Sequence, residues 1–237
     1  MSPAEFDRHA GTYDGGLDNP IKRMMGDQAD QFIAVKTRWL LRREPKLRSS
    51  GLAVLDYGCG AGDLMRVLAE QGARADLTGC DVSGGMLAEV GKRWPSSLGP
   101  APALATQEGA KTPFVDRQFD IVTISAVLHH VPVEERHAVY RELGRVLKPG
   151  GRLYVFEHNP RNPLVRYVIA RTPIDENAIL LDAREVRYGL LDTARYELET
   201  DYLMFMPPGL AFLRPIDRTL AWLPLGAQYV VAARKPA

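Results

Sequence analysis

The side chains of this chain that could do chemistry near neutral pH gather at a few points. They are the adjacent histidines His129-His130, the acid Glu157 with His158 after it, and the acids Asp56 and Asp81. Imidazole titrates closest to neutrality, so a histidine beside a reacting hydroxyl is a natural general base. Asp56 precedes Tyr57-Gly58-Cys59-Gly60-Ala61-Gly62, in which three glycines alternate with other residues. Such a turn bends tightly and lets the backbone approach a ligand that a β-carbon would block. The helix that follows it points unpaired N–H groups at whatever lies above the turn. Asp81, in Gly79-Cys80-Asp81-Val82-Ser83, is placed to accept hydrogen bonds from ribose hydroxyls. Its alternative role is to cap the next helix, a task Ser83 can also perform. The pattern is that of a nucleotide-type cofactor site.

The elements that must position these residues follow from periodicity. From Gly51 onward strand and helix patterns alternate, which implies a parallel sheet with crossover helices. Strands are expected at Ala53–Tyr57, Ala75–Cys80, Ala103–Thr106, Phe119–Ser125 and Arg152–Glu157, with helices near Leu64–Gln71, Gly84–Arg93 and Val133–Val146. Lys148-Pro149-Gly150-Gly151 ends the last of these helices. Beyond Glu157 come helices at Leu164–Ala170 and Ala183–Leu191, then strands at Tyr196–Met206 and Gln228–Ala233 that pair as an antiparallel hairpin at one sheet edge. Before Gly51, Met24, Met25, Ala29, Phe32, Ile33, Val35, Lys36, Trp39 and Leu40 fall near helical spacing. That helix either packs on the following domain or forms a mobile lid over it. The expected organisation is a helical cap over 1–50 and one α/β domain over 51–237, with a substrate-side insert at about 160–225.

Composition removes several classes of function. With 30 basic and 29 acidic side chains the formal net charge is +1, which gives no electrostatic case for nucleic acid or an anionic membrane. No apolar run approaches the length of a membrane span, and Met1-Ser2-Pro3-Ala4-Glu5 lacks the order of a signal peptide. The 2 cysteines, Cys59 and Cys80, make no disulfide framework, so a reduced, cytoplasmic compartment is expected. Both fall in the expected cofactor pocket, where small inert cysteine is the expected reading. Adjacent histidines plus one acid do not match zinc-ligand spacings, and no metal is expected. A dinucleotide fingerprint would need glycine where Asp63 stands, which argues against a nicotinamide or flavin dehydrogenase.

Four motifs in order give the chain a family resemblance over most of residues 50–160. They are Val54–Gly62, Cys80–Leu87, Pro113-Phe114 with Phe119–Val122, and Leu143–Gly151. Together they resemble the class I S-adenosylmethionine-dependent methyltransferases of small-molecule type, and Phe6-Asp7 with Ala10 through Tyr13-Asp14 resembles the opening of many members. The resemblance implies an α/β, Rossmann-like, seven-stranded sheet, mostly parallel with one antiparallel edge strand, helices on both faces and an N-terminal helical cap. It also implies S-adenosylmethionine as cofactor and S-adenosylhomocysteine as product. Asp56 and the backbone at Gly58, Cys59 and Gly60 would hold the methionine end; Asp81 would hold the ribose, with Val82 against the adenine and Met86 in the same motif. Glu108 and Gly109 stand where the family has an adenine contact, and Ser125 would face the methionine portion. Tyr13 would either close over that end or anchor the N-terminal helix.

A methylsulfonium is already activated, so positioning carries much of the rate, but an alcohol or phenol must also lose a proton. His129 and His130, just beyond the fourth strand, are the candidate bases; the alternative is that one of them caps a helix or holds a loop. Glu157 would orient a histidine or the substrate hydroxyl, or else pair with Arg161. Paired histidines after strand four and an acid after strand five resemble some sugar O-methyltransferases, so an oxygen acceptor is expected ahead of nitrogen or carbon. A cofactor-binding partner subunit without activity is the competing reading. The insert's aromatic and apolar residues, among them Tyr167, Tyr188, Tyr202, Phe205 and Trp222, suit an apolar, aromatic or carrier-bound small molecule, or a homodimer face.

Overall fold

Short apolar runs alternating with amphipathic ones fold into strands and helices in turn. The computed structural model describes residues 29–172, 177–206 and 219–237, with residues 29–31 described by their backbone alone. Tyr13 and the first part of the expected N-terminal helix lie outside these residues. The described elements begin with α1 (Ala29–Arg43), then β1 (Ala53–Tyr57), α2 (Asp63–Glu70), β2 (Asp76–Asp81), α3 (Gly84–Arg93) and β3 (Ala103–Thr106). There follow β4 (Phe119–Ser125), α4 (Arg136–Val146), β5 (Leu147–His158), α5 (Pro163–Ile169), α6 (Ala183–Thr193), β6 (Glu197–Leu203) and β7 (Gln228–Arg234).

The strands form one seven-stranded sheet in the order β3-β2-β1-β4-β5-β7-β6. β1 pairs in parallel with both β2 and β4, so the direction of winding reverses between β1 and β4. In an open α/β sheet that reversal leaves a crevice at the carboxyl ends of the strands. Asp56, Asp81, Ser125 and Glu157 all sit at that end. The antiparallel hairpin expected at one edge is formed by β6 and β7, and the antiparallel strand itself, β7, lies one place in, between β5 and β6. Polarity explains the order. Tyr229–Ala233 of β7 are apolar and buried, whereas β6 reads Glu-Leu-Glu-Thr-Asp-Tyr-Leu and exposes Glu197 and Glu199. The strand that needs cover on both faces takes the inner place.

Several boundaries differ from those the periodicity suggests. The 3₁₀ turn Val133–Glu135 precedes α4, which starts at Arg136. The Lys148–Gly151 breaker does not separate helix from strand; β5 starts at Leu147, and its pairing with β4 shifts register between Phe119 and Ile121. Gly150, at φ +73°, takes the left-handed conformation this irregularity requires. The segment 160–225 contributes α5, α6 and the edge strand β6 to the body of the fold.

Helix α1 packs on the body of the fold. Trp39 meets Tyr154 and Phe156 edge-on, with ring centroids at 5.6 and 5.9 Å, and its indole N–H donates to Asp201 Oδ2 at 2.8 Å. Just past the helix, Glu44 accepts the Tyr154 hydroxyl proton and an Arg152 contact at 2.7 Å. These contacts tie α1 to β5 and β6 and favour packing over a lid. They also fix which face of α1 looks into the crevice, the face carrying Ile33 and Lys36.

Candidate active site

Local chemistry at the end of β1 builds the floor of the site. Gly62, the N-cap of α2, adopts φ +81°, and a β-carbon there would lie 2.9 Å from Val90. At Gly58, φ is +68° and a β-carbon would come within 2.5 Å of Val127 Cγ2. Glycine is therefore demanded twice, once by backbone conformation and once by close approach of the loop after β4. The Gly60 N–H donates to Asp81 Oδ2 at 2.8 Å, and the Ser83 N–H donates to Asp81 Oδ1 at 2.9 Å. The Ser83 hydroxyl accepts the Met86 N–H at 3.0 Å and is the N-cap of α3. Asp81 thus clamps the glycine turn, and the capping role falls to Ser83.

Above this floor lies a cavity of about 420 Å³, a size that suits a small ligand. Of the residues singled out in the sequence, Asp56, Gly58, Cys59, Gly60, Asp81, Val82, Met86, Gly109, Ser125, His129 and His130 line it, and His158 joins them. Glu108 does not. Its backbone pairs with Lys111 in a tight bridge that turns its side chain out to solvent, and Gln107 is the buried side chain on the cavity wall. Gln107 Nε2 donates to the Gly109 carbonyl at 2.9 Å, and its Oε1 is buried with no hydrogen-bond partner among the described residues. Cys59 and Cys80 are reduced and buried, and burial pushes both thiols up, away from the reactive thiolate.

Glu157 stands behind the cavity rather than on its wall. Its Oε2 lies 2.6 Å from His129 Nδ1, while Oε1 accepts the N–H groups of Val127 at 3.0 Å and Leu128 at 2.8 Å. The turn that aims those two amides begins at Ala126, a non-glycine residue at φ +58°. That conformation costs of order 1 kcal/mol for a residue with a β-carbon, a strain that recurs where a site over-determines its backbone. Burial pushes the Glu157 carboxyl up, but the His129 ring, His158 and the Leu128 N–H outweigh it and hold it below the usual carboxylate range. The alternative partner, Arg161, pairs instead with Asp182 at 2.8 Å. The rings of His130 and His158 lie 4.1 and 5.2 Å from that of His129.

Two residues of the site escaped the sequence reading. Thr123 is opposite Asp56 in the β1–β4 register and donates its hydroxyl to Asp56 Oδ1 at 2.8 Å. Lys36 enters from α1 and donates from Nζ to Ser125 Oγ at 2.9 Å. Burial raises the Asp56 carboxyl to about 7, with the Thr123 hydrogen bond and Lys36 opposing and Asp81 reinforcing. Among the described residues, no group of three or more His, Cys, Asp or Glu side chains is arranged to hold a metal ion.

The residues present fit S-adenosylmethionine. Asp81 ends β2 on the cavity wall, where an acidic side chain is placed to accept hydrogen bonds from ribose hydroxyls. The unpartnered Gln107 Oε1 is an acceptor of the kind an adenine amine needs. Apolar Val82 and Met86 offer surface to a base between these points.

Comparison with known proteins agrees. Residues 54–151 match the family described as "Methyltransferase domain". A protein of Azotobacter vinelandii called "Ubiquinone/menaquinone biosynthesis C-methyltransferase UbiE" is 34% identical over 69% of this chain and 67% of its own length. Its namesake from Desulfotalea psychrophila is 34% identical over 65% of this chain and 57% of its own length. The chain thus spans roughly half to two thirds of the curated relatives it matches. Among solved structures, magnesium protoporphyrin IX methyltransferase from Synechocystis PCC 6803 with bound S-adenosylhomocysteine shares the fold, at TM-score 0.68 and 22% identity, over 98% of this chain and 94% of that one. By its motifs, its sheet order and these relatives, the chain belongs to the class I S-adenosylmethionine-dependent methyltransferases.

Proposed function

We propose that this chain moves the methyl group of S-adenosylmethionine to a ring carbon of a small, apolar hydroxy-aromatic acceptor of the reduced-quinone class. The observation that carries this reading is the buried His129–Glu157 pair, with His129 on the cavity wall and Glu157 behind it. The expectation of an oxygen acceptor gives way to carbon because the two relatives at 34% identity are named as C-methyltransferases of ubiquinone and menaquinone biosynthesis. The base survives the change of target. A phenolic hydroxyl that loses its proton becomes nucleophilic at oxygen and, by delocalisation, at the neighbouring ring carbon.

When bound, the cofactor supplies a methyl group already activated on a sulfonium. Asp81 would hold the ribose hydroxyls, Gln107 the adenine amine and Asp56 the methionine ammonium. Glu157, ionised and fixed by two backbone N–H groups, accepts the Nδ1 proton of His129. That leaves Nε2 as the basic nitrogen of the ring. His129 Nε2 takes the acceptor's hydroxyl proton as the new C–C bond forms, and Glu157 stabilises the resulting imidazolium. The ring carbon must then lose its own hydrogen to become aromatic again; His130 and His158 are the imidazoles beside His129 for that proton, and His129 returns the first proton to the ring oxygen, so that one proton is released overall. Ile33, Val131 and Val139 give the cavity an apolar wall for the acceptor ring. In this scheme residues 1–50 act as a cap over the domain at 51–237, with α1 forming part of the cavity wall. No described helix is long and apolar enough to cross a membrane.

A blocked acceptor tests the proton step. A reduced naphthoquinone with an open ring position should be methylated, whereas the same compound with both hydroxyls converted to methyl ethers should not. Equal rates for the two would remove any role for a base.

A further inference from the structure

Glu157 fixes the His129 ring at one atom, Nδ1, and the backbone that carries the ring needs an anchor of its own. His129 sits in a single 3₁₀ turn, Leu128–His130, an element whose hydrogen bonds are few and of poor geometry. The anchor comes from Arg136, the first residue of α4. Arg136 is buried, and among the described residues its hydrogen-bond partners are three backbone carbonyls. Its Nε donates to the carbonyl of Leu128 at 3.1 Å and to that of Val131 at 3.2 Å, one on each side of the two histidines. Its Nη2 donates to the Ile179 carbonyl at 2.6 Å, and the Ile179 N–H in turn donates to the His129 carbonyl at 2.8 Å. The segment around Ile179 is itself docked, because the Leu181 carbonyl accepts the hydroxyl of Tyr229 on β7 at 2.9 Å. Burying a guanidinium without a hydrogen-bonded anion is costly. Arg136 does not line the cavity, although its neighbour Glu135 does, so ligand binding does not explain that cost.

We propose that Arg136 is a positioning residue for the base: it holds the histidine turn against the Ile179 segment so that His129 Nε2 stays aimed at the acceptor. The inference rests on the base reading above, and Arg136 acts through His129 without touching cofactor or acceptor. The position calls for a fork. One edge of a planar guanidinium reaches both ends of the turn and the Ile179 carbonyl at once, whereas an ammonium is a point charge on a flexible stem. With the fork removed, the turn keeps its contacts to Glu157 and to the Ile179 N–H but loses the tie that sets the angle between them. A misplacement of about 1 Å is enough to cost about 10²-fold in rate.

Two measurements test this. The first is a double-mutant cycle on single-turnover methylation of a reduced naphthoquinone. Arg136→Met should lower the rate by about 10- to 100-fold, with S-adenosylhomocysteine affinity within about threefold of wild type. In a Glu157→Gln background, where the base is already lost, the same change should cost less than about threefold. Arg136→Lys keeps the charge without the fork and should fall between wild type and Arg136→Met; it carries the cycle if the melting curve shows Arg136→Met unfolded. Equal losses in the two backgrounds, or a wild-type rate in a folded Arg136→Met or Arg136→Lys protein, would overturn the assignment. The second measurement is proton NMR, which needs no acceptor. The Nδ1 proton of His129, in a 2.6 Å hydrogen bond to Glu157, should resonate far downfield in the wild-type protein and move upfield or broaden in both Arg136 variants. An unchanged resonance in a folded variant would overturn the assignment as well. A wild-type rate in Glu157→Gln alone would instead remove the base reading.

Discussion

Glu157→Gln lowers turnover by about 10²- to 10⁴-fold while the fold and S-adenosylhomocysteine affinity survive, the range spanned by general-base catalysis and by loss of the correct histidine tautomer. The reason lies in three donors that share one carboxylate. Val127 and Leu128 point their N–H groups at Oε1, so a glutamine in this place must turn its carbonyl oxygen toward them. Its NH₂ then faces His129 Nδ1, which can only accept, and the ring proton moves to Nε2. The base is lost without a change of shape. The charge that stabilises the imidazolium goes with it. Removing His129 itself would be a poorer experiment, because it leaves a buried carboxylate without its partner and costs several kcal/mol of stability. Single-turnover kinetics with a labelled cofactor, alongside a melting curve, reads the effect. Turnover within threefold of wild type, with affinity intact, would assign Glu157 a structural role only. A cofactor-binding subunit without activity has no use for this dyad, so the same experiment separates it from an enzyme.

Asp81→Ala weakens S-adenosylhomocysteine by about 10²-fold or more, because two ribose hydroxyls lose a charged acceptor worth about 1.5–3 kcal/mol each. The same change leaves the Gly60 and Ser83 N–H groups without their acceptor, so the glycine turn loosens as well. The melting temperature of the ligand-free protein should fall by a few degrees, and the ligand-induced rise in melting temperature should nearly vanish. Ser83 still caps α3 in this variant, so the helix itself is not at risk. Unchanged affinity would show that Asp81 serves the turn and not the ligand.

Much of this site was legible because its signals are local. The glycine turn, Asp56 before it and Asp81 one strand later are each set by a few consecutive residues; Asp63 in place of a fingerprint glycine argued against a dinucleotide, and the family resemblance implied the cofactor. The misses have a common physical cause. Lys36 reaches Ser125 across 89 positions, and helical periodicity marks its face of α1 without saying what stands opposite. Thr123 meets Asp56 only because the β1–β4 register places them side by side. Glu108 and Gln107 differ by one step in a loop, where no period decides which side chain turns inward. The placing of β7 inside β6 was open to reading, since one strand is apolar from Tyr229 to Ala233 and the other alternates with acids. The choice between a histidine and Arg161 as the partner of Glu157 was not, because Arg161 lies in the connection between β5 and α5, whose docking the sequence leaves open.

The chemistry of the acceptor is tested most directly by following the methyl group. The protein is incubated with S-adenosylmethionine labelled with carbon-13 in the methyl group and a reduced naphthoquinone bearing an open ring position, and the product is read by mass spectrometry and carbon NMR. The account predicts a single added methyl, bonded to ring carbon, whose formation Glu157→Gln suppresses. A methoxy product, or label transferred only to nitrogen acceptors, would contradict it.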